Sequence, residues 1–283
     1  SPALAGNMLV ATNESFLYPA RLVKVDIRNG RTTRLDSFND ELLAKTEFGS
    51  YESVTYKGAD GNDIQMWVHY PAGFDKSKKY PLFLLIHGGP HNAITDSFSY
   101  RWNAQTFSSW GYVTAWPNFH GSSGFGQDFA DAINPDWRTK PLADIQAATK
   151  WFEKQSWIDT NRMVAGGASY GGYLTSVLLG TEHPFKALHL TTDLHIACMG
   201  AHQGQDGAVI IVGTGSCGLA SVQGELTEVG GHGFPYGDNG SGAWFGMQLV
   251  HKVLLSLDQL AEPTLLTTLL LQELAQTDAI GIV

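Results

Sequence analysis

The stretch that most constrains this chain is Val164-Ala-Gly-Gly-Ala-Ser-Tyr-Gly-Gly172. It contains Gly167-Ala168-Ser169-Tyr170-Gly171, a G-x-S-x-G pattern. Arg162 to Ala165 reads as a short strand and Tyr173 to Gly180 as a helix. A tight turn between them lifts the serine Oγ above the sheet edge and aims a helix N-terminus at it. Small residues two before and two after the serine let the backbone close without side-chain clashes. Ser169 is therefore predicted to be a nucleophile on a strand–turn–helix.

Composition restricts what such a serine could serve. The chain has 283 residues, 43% hydrophobic and 16% charged, which describes a globular protein able to bury a sizeable core. Its 18 basic and 27 acidic residues, net −9, argue against nucleic acid or an anionic membrane as the main partner. Cys198 and Cys217 have no C-x-x-C spacing and make no disulfide framework. The chain begins at Ser1 without a signal-peptide pattern and reads as cut from something longer, with a cytoplasmic location favoured. Lys252, Asp258, Glu262, Pro263 and Glu273 interrupt the apolar stretch from Val250 to Leu274, so no membrane span is expected.

In chain order, residues 1–45 read as a β-rich piece. Ala20 to Ile27 alternates, Arg28-Asn29-Gly30-Arg31 is a turn, and Thr32 to Leu35 returns. From residue 46 the pattern is that of an α/β sheet. Tyr51 to Tyr56 and Ile64 to Tyr70 are candidate strands, and Pro81 to Ile86 is an apolar run suited to a doubly covered strand. That run ends in His87-Gly88-Gly89-Pro90. A helix over Tyr100 to Trp110, a strand over Tyr112 to Trp116, the glycine loop Asn118 to Gly126 and a helix over Ala143 to Gln155 lead to the serine. Alternating strands and helices put a site at the strand ends. Backbone N–H groups of the His87 to Pro90 loop, with the N–H of Tyr170, are the expected holders of a developing oxyanion.

Tyr80 to Pro90, Trp116 to Gly126, and Ile158 to Arg162 ahead of Gly167 to Tyr173 resemble the prolyl oligopeptidase family, in its acylaminoacyl-peptidase and dipeptidyl-peptidase-like branch. The resemblance implies an α/β-hydrolase domain behind a β-propeller, with residues 1–45 the remnant of its last blade and 46–188 the first part of the catalytic domain. It implies a peptide substrate, no cofactor, Ser169 as acyl-enzyme nucleophile, and Gly88 with Tyr170 as oxyanion donors. In this fold the triad acid and histidine follow the serine. His189, His195, His202, His232 and His251 have no recognisable family context, so the triad reads as incomplete and the chain as inactive. Chain order alone permits Asp206 with His232, or Asp238 with His251.

Residues 189–283 carry another signature. Leu190 to Asp193 is expected to close an apolar strand. Ala208 to Val212 is a strand opening into Gly213-Thr214-Gly215-Ser216, which offers an anion nest. Gly218 to Val222 and Glu225 to Val229 form a hairpin, and the glycine loop Gly230 to Gly246 runs into a helix. This stretch resembles N-acetylglucosamine and glucosamine kinases of the BadF/BadG type, in the actin-like ATPase superfamily. The resemblance implies Asp193 as catalytic base, Gly213 to Ser216 as a phosphate loop, Asp238 as sugar ligand, Mg-ATP as cofactor and an amino sugar as substrate. The family's first phosphate loop is missing. The whole then reads as a chimera joined near residues 186–192, engineered or misassembled, with unpaired sheet edges that favour self-association.

Overall fold

The computed structural model describes residues 2–181, 183–185, 191–276, 278–279 and 281. The chain divides into two units, Ser1–Leu188 and His189–Val283. Of the expected seam near residues 186–192, Lys186 to Leu190 lie outside the described residues.

The first unit opens with an antiparallel meander of β1 (Ala3–Ala5), β2 (Met8–Ser15), β3 (Tyr18–Asp26) and β4 (Thr32–Arg34), in that order across the sheet. A short helix, α1 (Asp40–Leu43), follows. The β2–β3 turn inserts Phe16 against the strands that come next, β5 (Tyr51–Lys57) and β6 (Asp63–His69). Its ring meets Tyr51 at 5.1 Å, Trp67 at 5.2 Å and His69 at 4.4 Å, each edge-on. Asp96 secures the tip, one carboxylate oxygen accepting from Phe16 N–H at 2.7 Å and the other from Tyr51 O–H at 2.8 Å. His69 is fully buried here with neither ring nitrogen hydrogen-bonded, and burial pulls its pKa from 6.5 down to about 3.

The five-stranded sheet continues with β7 (Tyr80–Ile86), β8 (Val113–Pro117) and β9 (Ile158–Gly167), in the order β5-β6-β8-β7-β9. Pairing is antiparallel from β5 through β6 to β8, and parallel from β8 through β7 to β9. Leu82, Leu84, Leu85 and Ile86 on β7 are all buried, as a strand covered on both faces requires. Each contributes roughly 1.5–3 kcal/mol of apolar burial. The helices are α2 (Ala104–Ser109), α3 (Gln127–Asp131), α4 (Thr139–Glu153) and α5 (Tyr170–Leu179). Ile145, Ala148 and Phe152 of α4 join Leu174 and Leu178 of α5 in the main core with Leu82 and Leu84. Ala104 packs on the opposite face with Leu85 and Trp116. Among the described residues β9 ends the sheet, paired only with β7.

Several element boundaries differ from expectation. Helix α2 begins at Ala104, not Tyr100, because the Asn103 side chain caps it through Gln105 N–H at 2.9 Å. The preceding residues instead turn around Ser99, whose Oγ accepts from Arg101 and Trp102 N–H. The strand before the serine is longer than Arg162 to Ala165, and α5 starts at Tyr170 rather than Tyr173.

The second unit consists of α6 (Asp193–His202), the antiparallel strands β10 (Gly207–Val212), β11 (Ser216–Val222) and β12 (Glu225–Gly230), then α7 (Gly242–Leu257) and α8 (Leu265–Glu273). Leu194 and Cys198 of α6 bury against Leu219 of β11. The expected strand end at Asp193 is corrected: Asp193 opens a helix. Thr192 caps that helix, its Oγ1 accepting from His195 N–H at 3.1 Å, and a carboxylate in the first turn suits the helix dipole.

Candidate active site

Ser169 sits between β9 and α5 with φ 57° and ψ −128°, a conformation that side-chain-bearing residues rarely hold. Such a backbone stores about 1–3 kcal/mol and persists only where its surroundings dictate it. The surroundings here are two glycines and one carbonyl. A Cβ on Gly167 would fall 2.4 Å from the Ile86 carbonyl oxygen, and one on Gly171 only 2.0 Å from the same atom. The end of β7 is thus pressed into the turn, and no side chain fits at either position.

The loop leaving β7 runs directly past the serine. A Cβ on Gly88 would lie 3.3 Å from Ser169 Cβ and 2.8 Å from the Ala168 carbonyl oxygen. Tyr170, as first residue of α5, has an N–H with no intrahelical acceptor. The structure therefore brings Ser169, Tyr170 and Gly88 together. The Tyr170 ring is buried against Phe119 and Trp137, and its hydroxyl donates to the Trp137 carbonyl at 2.5 Å.

His87 fixes this loop, a role that its sequence position did not reveal. Its Nδ1 lies 3.1 Å from Gly88 O and its Nε2 lies 3.0 Å from Ser122 Oγ, while the ring stacks on Phe119 at 4.2 Å. Burial lowers the His87 pKa to about 4, so the ring is neutral. Nδ1–H then donates to Gly88 O, and Nε2 accepts from the Ser122 hydroxyl. Asn118 does similar work further along, accepting from Ile94 N–H at 2.8 Å and donating to Ile94 O at 2.9 Å. The Asn118 to Gly126 loop was readable as a loop. Its partners on the His87 to Ile94 segment were not.

A cleft of about 670 Å³ opens beside the serine, with Phe16, Gly88, Ile94, Arg101, Trp102 and Ser169 among its walls. Among the described residues of this unit, no histidine is hydrogen-bonded to Ser169. The buried His120–Asp144 pair, Nδ1 to Oδ2 at 2.7 Å, does not line the cleft. Asp144 instead accepts from the Ala59 and His120 N–H groups, both at 2.7 Å, and Asn62 Nδ2 lies 3.0 Å from His120 Nε2. Among the described residues no cluster of three or more His, Cys, Asp or Glu could hold a metal.

In the second unit Gly213, Thr214 and Gly215 form the turn between β10 and β11, and Ser216 begins β11. Two of the backbone donors of this turn are engaged. Gly213 N–H donates to Gly215 O at 2.9 Å, and Ser216 N–H donates to Asp238 Oδ1 at 2.9 Å. A Cβ on Gly215 would reach within 2.9 Å of the same Asp238 oxygen. The first N–H groups of α7, from Gly242 and Ala243, donate to Gly213 O and Thr214 O. Asp238 and Ser216 line a cavity of about 540 Å³, but Asp193 does not. Its carboxylate accepts from the adjacent Leu194 N–H at 2.9 Å.

Comparison with known proteins bears on the first of these sites. The prolyl oligopeptidase family model matches residues 97–191. Dipeptidyl-peptidase 5 of Schizosaccharomyces pombe is 38% identical over 186 residues, covering 62% of this chain and 26% of that protein. Dipeptidyl-peptidase 5 of Porphyromonas endodontalis is 37% identical over 177 residues, with the same coverage of 62% and 26%. Acylaminoacyl peptidase of Pyrococcus horikoshii superposes with a TM-score of 0.56 at 25% identity, over 64% of this chain and 29% of that one. The chain thus spans about a quarter of the length of the curated relatives it matches. No evidence for a sugar-kinase segment comes from these matches. Over part of its length, then, the chain is similar in sequence to the prolyl oligopeptidase family, and its mixed α/β fold has structural neighbours among the α/β-hydrolase peptidases of that family.

Proposed function

We propose that residues 1–188 hold the nucleophile and oxyanion half of a serine peptidase, with 1–45 a propeller-blade remnant and 46–188 the first part of the catalytic domain. The observation that carries this reading is Ser169 at φ 57°, ψ −128° with the Gly88 backbone against it. Ser169 Oγ would attack a peptide carbonyl carbon. The oxyanion so formed would accept from Gly88 and Tyr170 N–H, and collapse would expel the amine. That step needs a base for the Ser169 proton, and no histidine among the described residues of the unit is bonded to it. The proton then passes to water, and turnover falls to the residual level left by oxyanion and binding effects alone.

The kinase reading of 189–283, with Asp193 as base and Mg-ATP on Gly213 to Ser216, is the weaker one. Asp238 already occupies the Ser216 N–H that a phosphate would need. Asp193 serves its own helix terminus.

The test is a small fluorophosphonate followed by intact-mass analysis. Slow, single-site labelling that Ser169→Ala abolishes is the expected result. Absence of labelling at high probe concentration would overturn the nucleophile assignment. Fast labelling that falls away as a histidine is protonated would overturn the incomplete triad.

A further inference from the structure

The second unit has two outer strands, and they differ in chemistry. β12 carries Glu225 and Glu228, the kind of charge that keeps a strand edge from pairing with another molecule. β10 reads Gly-Ala-Val-Ile-Ile-Val, with no charge and no proline. Its register with β11 runs unbroken from Gly207↔Ser221 to Val212↔Ser216, so no bulge blunts it. Asp206, just before the strand, accepts from Gln223 N–H at 2.8 Å. Ile210 and Val212 are 79% and 62% exposed. A strand end left open in this way presents amide and carbonyl groups that another strand satisfies.

We propose that β10 pairs antiparallel with β10 of a second copy of this chain, extending the two three-stranded sheets into one of six. The second copy is the occupant because it offers an edge equally uncharged, unblunted and of the same length. The register follows from what is already taken. His202 Nε2 lies 3.0 Å from the Ala208 carbonyl oxygen, so the free stretch is Val209 to Val212. Pairing within that stretch about a two-fold axis at Ile211 puts Ile210 of each copy opposite Val212 of the other, covering both exposed side chains. Such an isologous contact closes on itself and stops at two. Lys252 is the one Lys or Arg after residue 188, so the second units carry like charge. Added salt should therefore tighten the pair.

Sedimentation velocity on the full chain, across a micromolar concentration series at low and high salt, tests this independently of any peptidase activity. The parent chain is expected to dimerise, more tightly at high salt. Ile210→Lys should weaken the dimer at least about a hundredfold, since it buries unpaired ammonium groups in the contact. Adding Val212→Glu to the same chain should restore the dimer, because each Lys then faces a Glu of the other copy. Circular dichroism on both variants checks that the fold is kept. A parent monomeric at all concentrations, a dimer that survives Ile210→Lys with the fold intact, or a double variant that stays monomeric would each overturn the proposal.

Discussion

His69→Leu is expected to remove an acid-sensitive weakness from the first unit. In the parent, the neutral ring lies between Phe16 and Tyr51 with both nitrogens unpaired, and its pKa is depressed from 6.5 to about 3. A depressed histidine pKa means that the folded state accommodates only the neutral form. The stability is full above pH 6.5 and is lost as pH falls toward the folded value. Between about pH 7.5 and pH 5 the loss from this one ring is about 2 kcal/mol. Removing the orphaned donor and acceptor gains roughly 1–3 kcal/mol. Losing two ring contacts of about 0.5–1.5 kcal/mol each offsets much of that. Parent and variant should therefore be close at neutral pH and separate in acid. In urea unfolding followed by tryptophan emission, about 2 kcal/mol is about 1 M in the midpoint for a typical slope. His87, whose pKa is lowered to about 4, adds a slope of the same sign, so the informative quantity is the difference between the two proteins. Parallel pH profiles for parent and variant would refute the reasoning.

Other substitutions test the packing around the serine. Gly171→Ala should lose at least about 3 kcal/mol or fail to fold, because its Cβ would overlap the Ile86 carbonyl. Gly172→Ala, in α5, whose Cβ would meet only the Gly167 backbone at ordinary distance, should be neutral or gain up to about 1 kcal/mol, and melting curves separate the two. Asp144→Ala should lose about 3 kcal/mol or more, since it strands Ala59 N–H, His120 N–H and His120 Nδ1 in the interior. Asp144→Asn, which restores an acceptor, should recover part of that in the same urea titration.

Local patterns in the sequence revealed the frame of the site. The β7 apolar run and the glycines around Ser169 are short-range signals, and each has a steric cause in the structure. The ends of α2 and α5 were less legible because side chains decide them: Asn103 and Ser99 in one case, the tight elbow in the other. Pairings between distant residues left no signal at all. Phe16 with His69, His87 with Ser122 and His120 with Asp144 depend on where the strands place them. Asp193 misled because a Thr-Asp pair ahead of a helix resembles a strand end when the helix behind it is weakly amphipathic. The Gly213 to Ser216 stretch misled because a glycine turn joining two strands has the same composition as a phosphate loop.

The Phe16 insertion also decides where the chain can be cut. Sequence suggests a seam near residue 45, yet a chain begun at residue 46 would leave Tyr51, Trp67 and His69 facing water where Phe16 now covers them. Asp96 would lose its Phe16 partner, and the segment carrying Ile94, Arg101 and Trp102 along the serine cleft would lose an anchor. Any excised piece carrying the Ser169 site must therefore keep the first hairpin or replace its aromatic plug. The smallest piece that can be handled is larger than the one the sequence delimits.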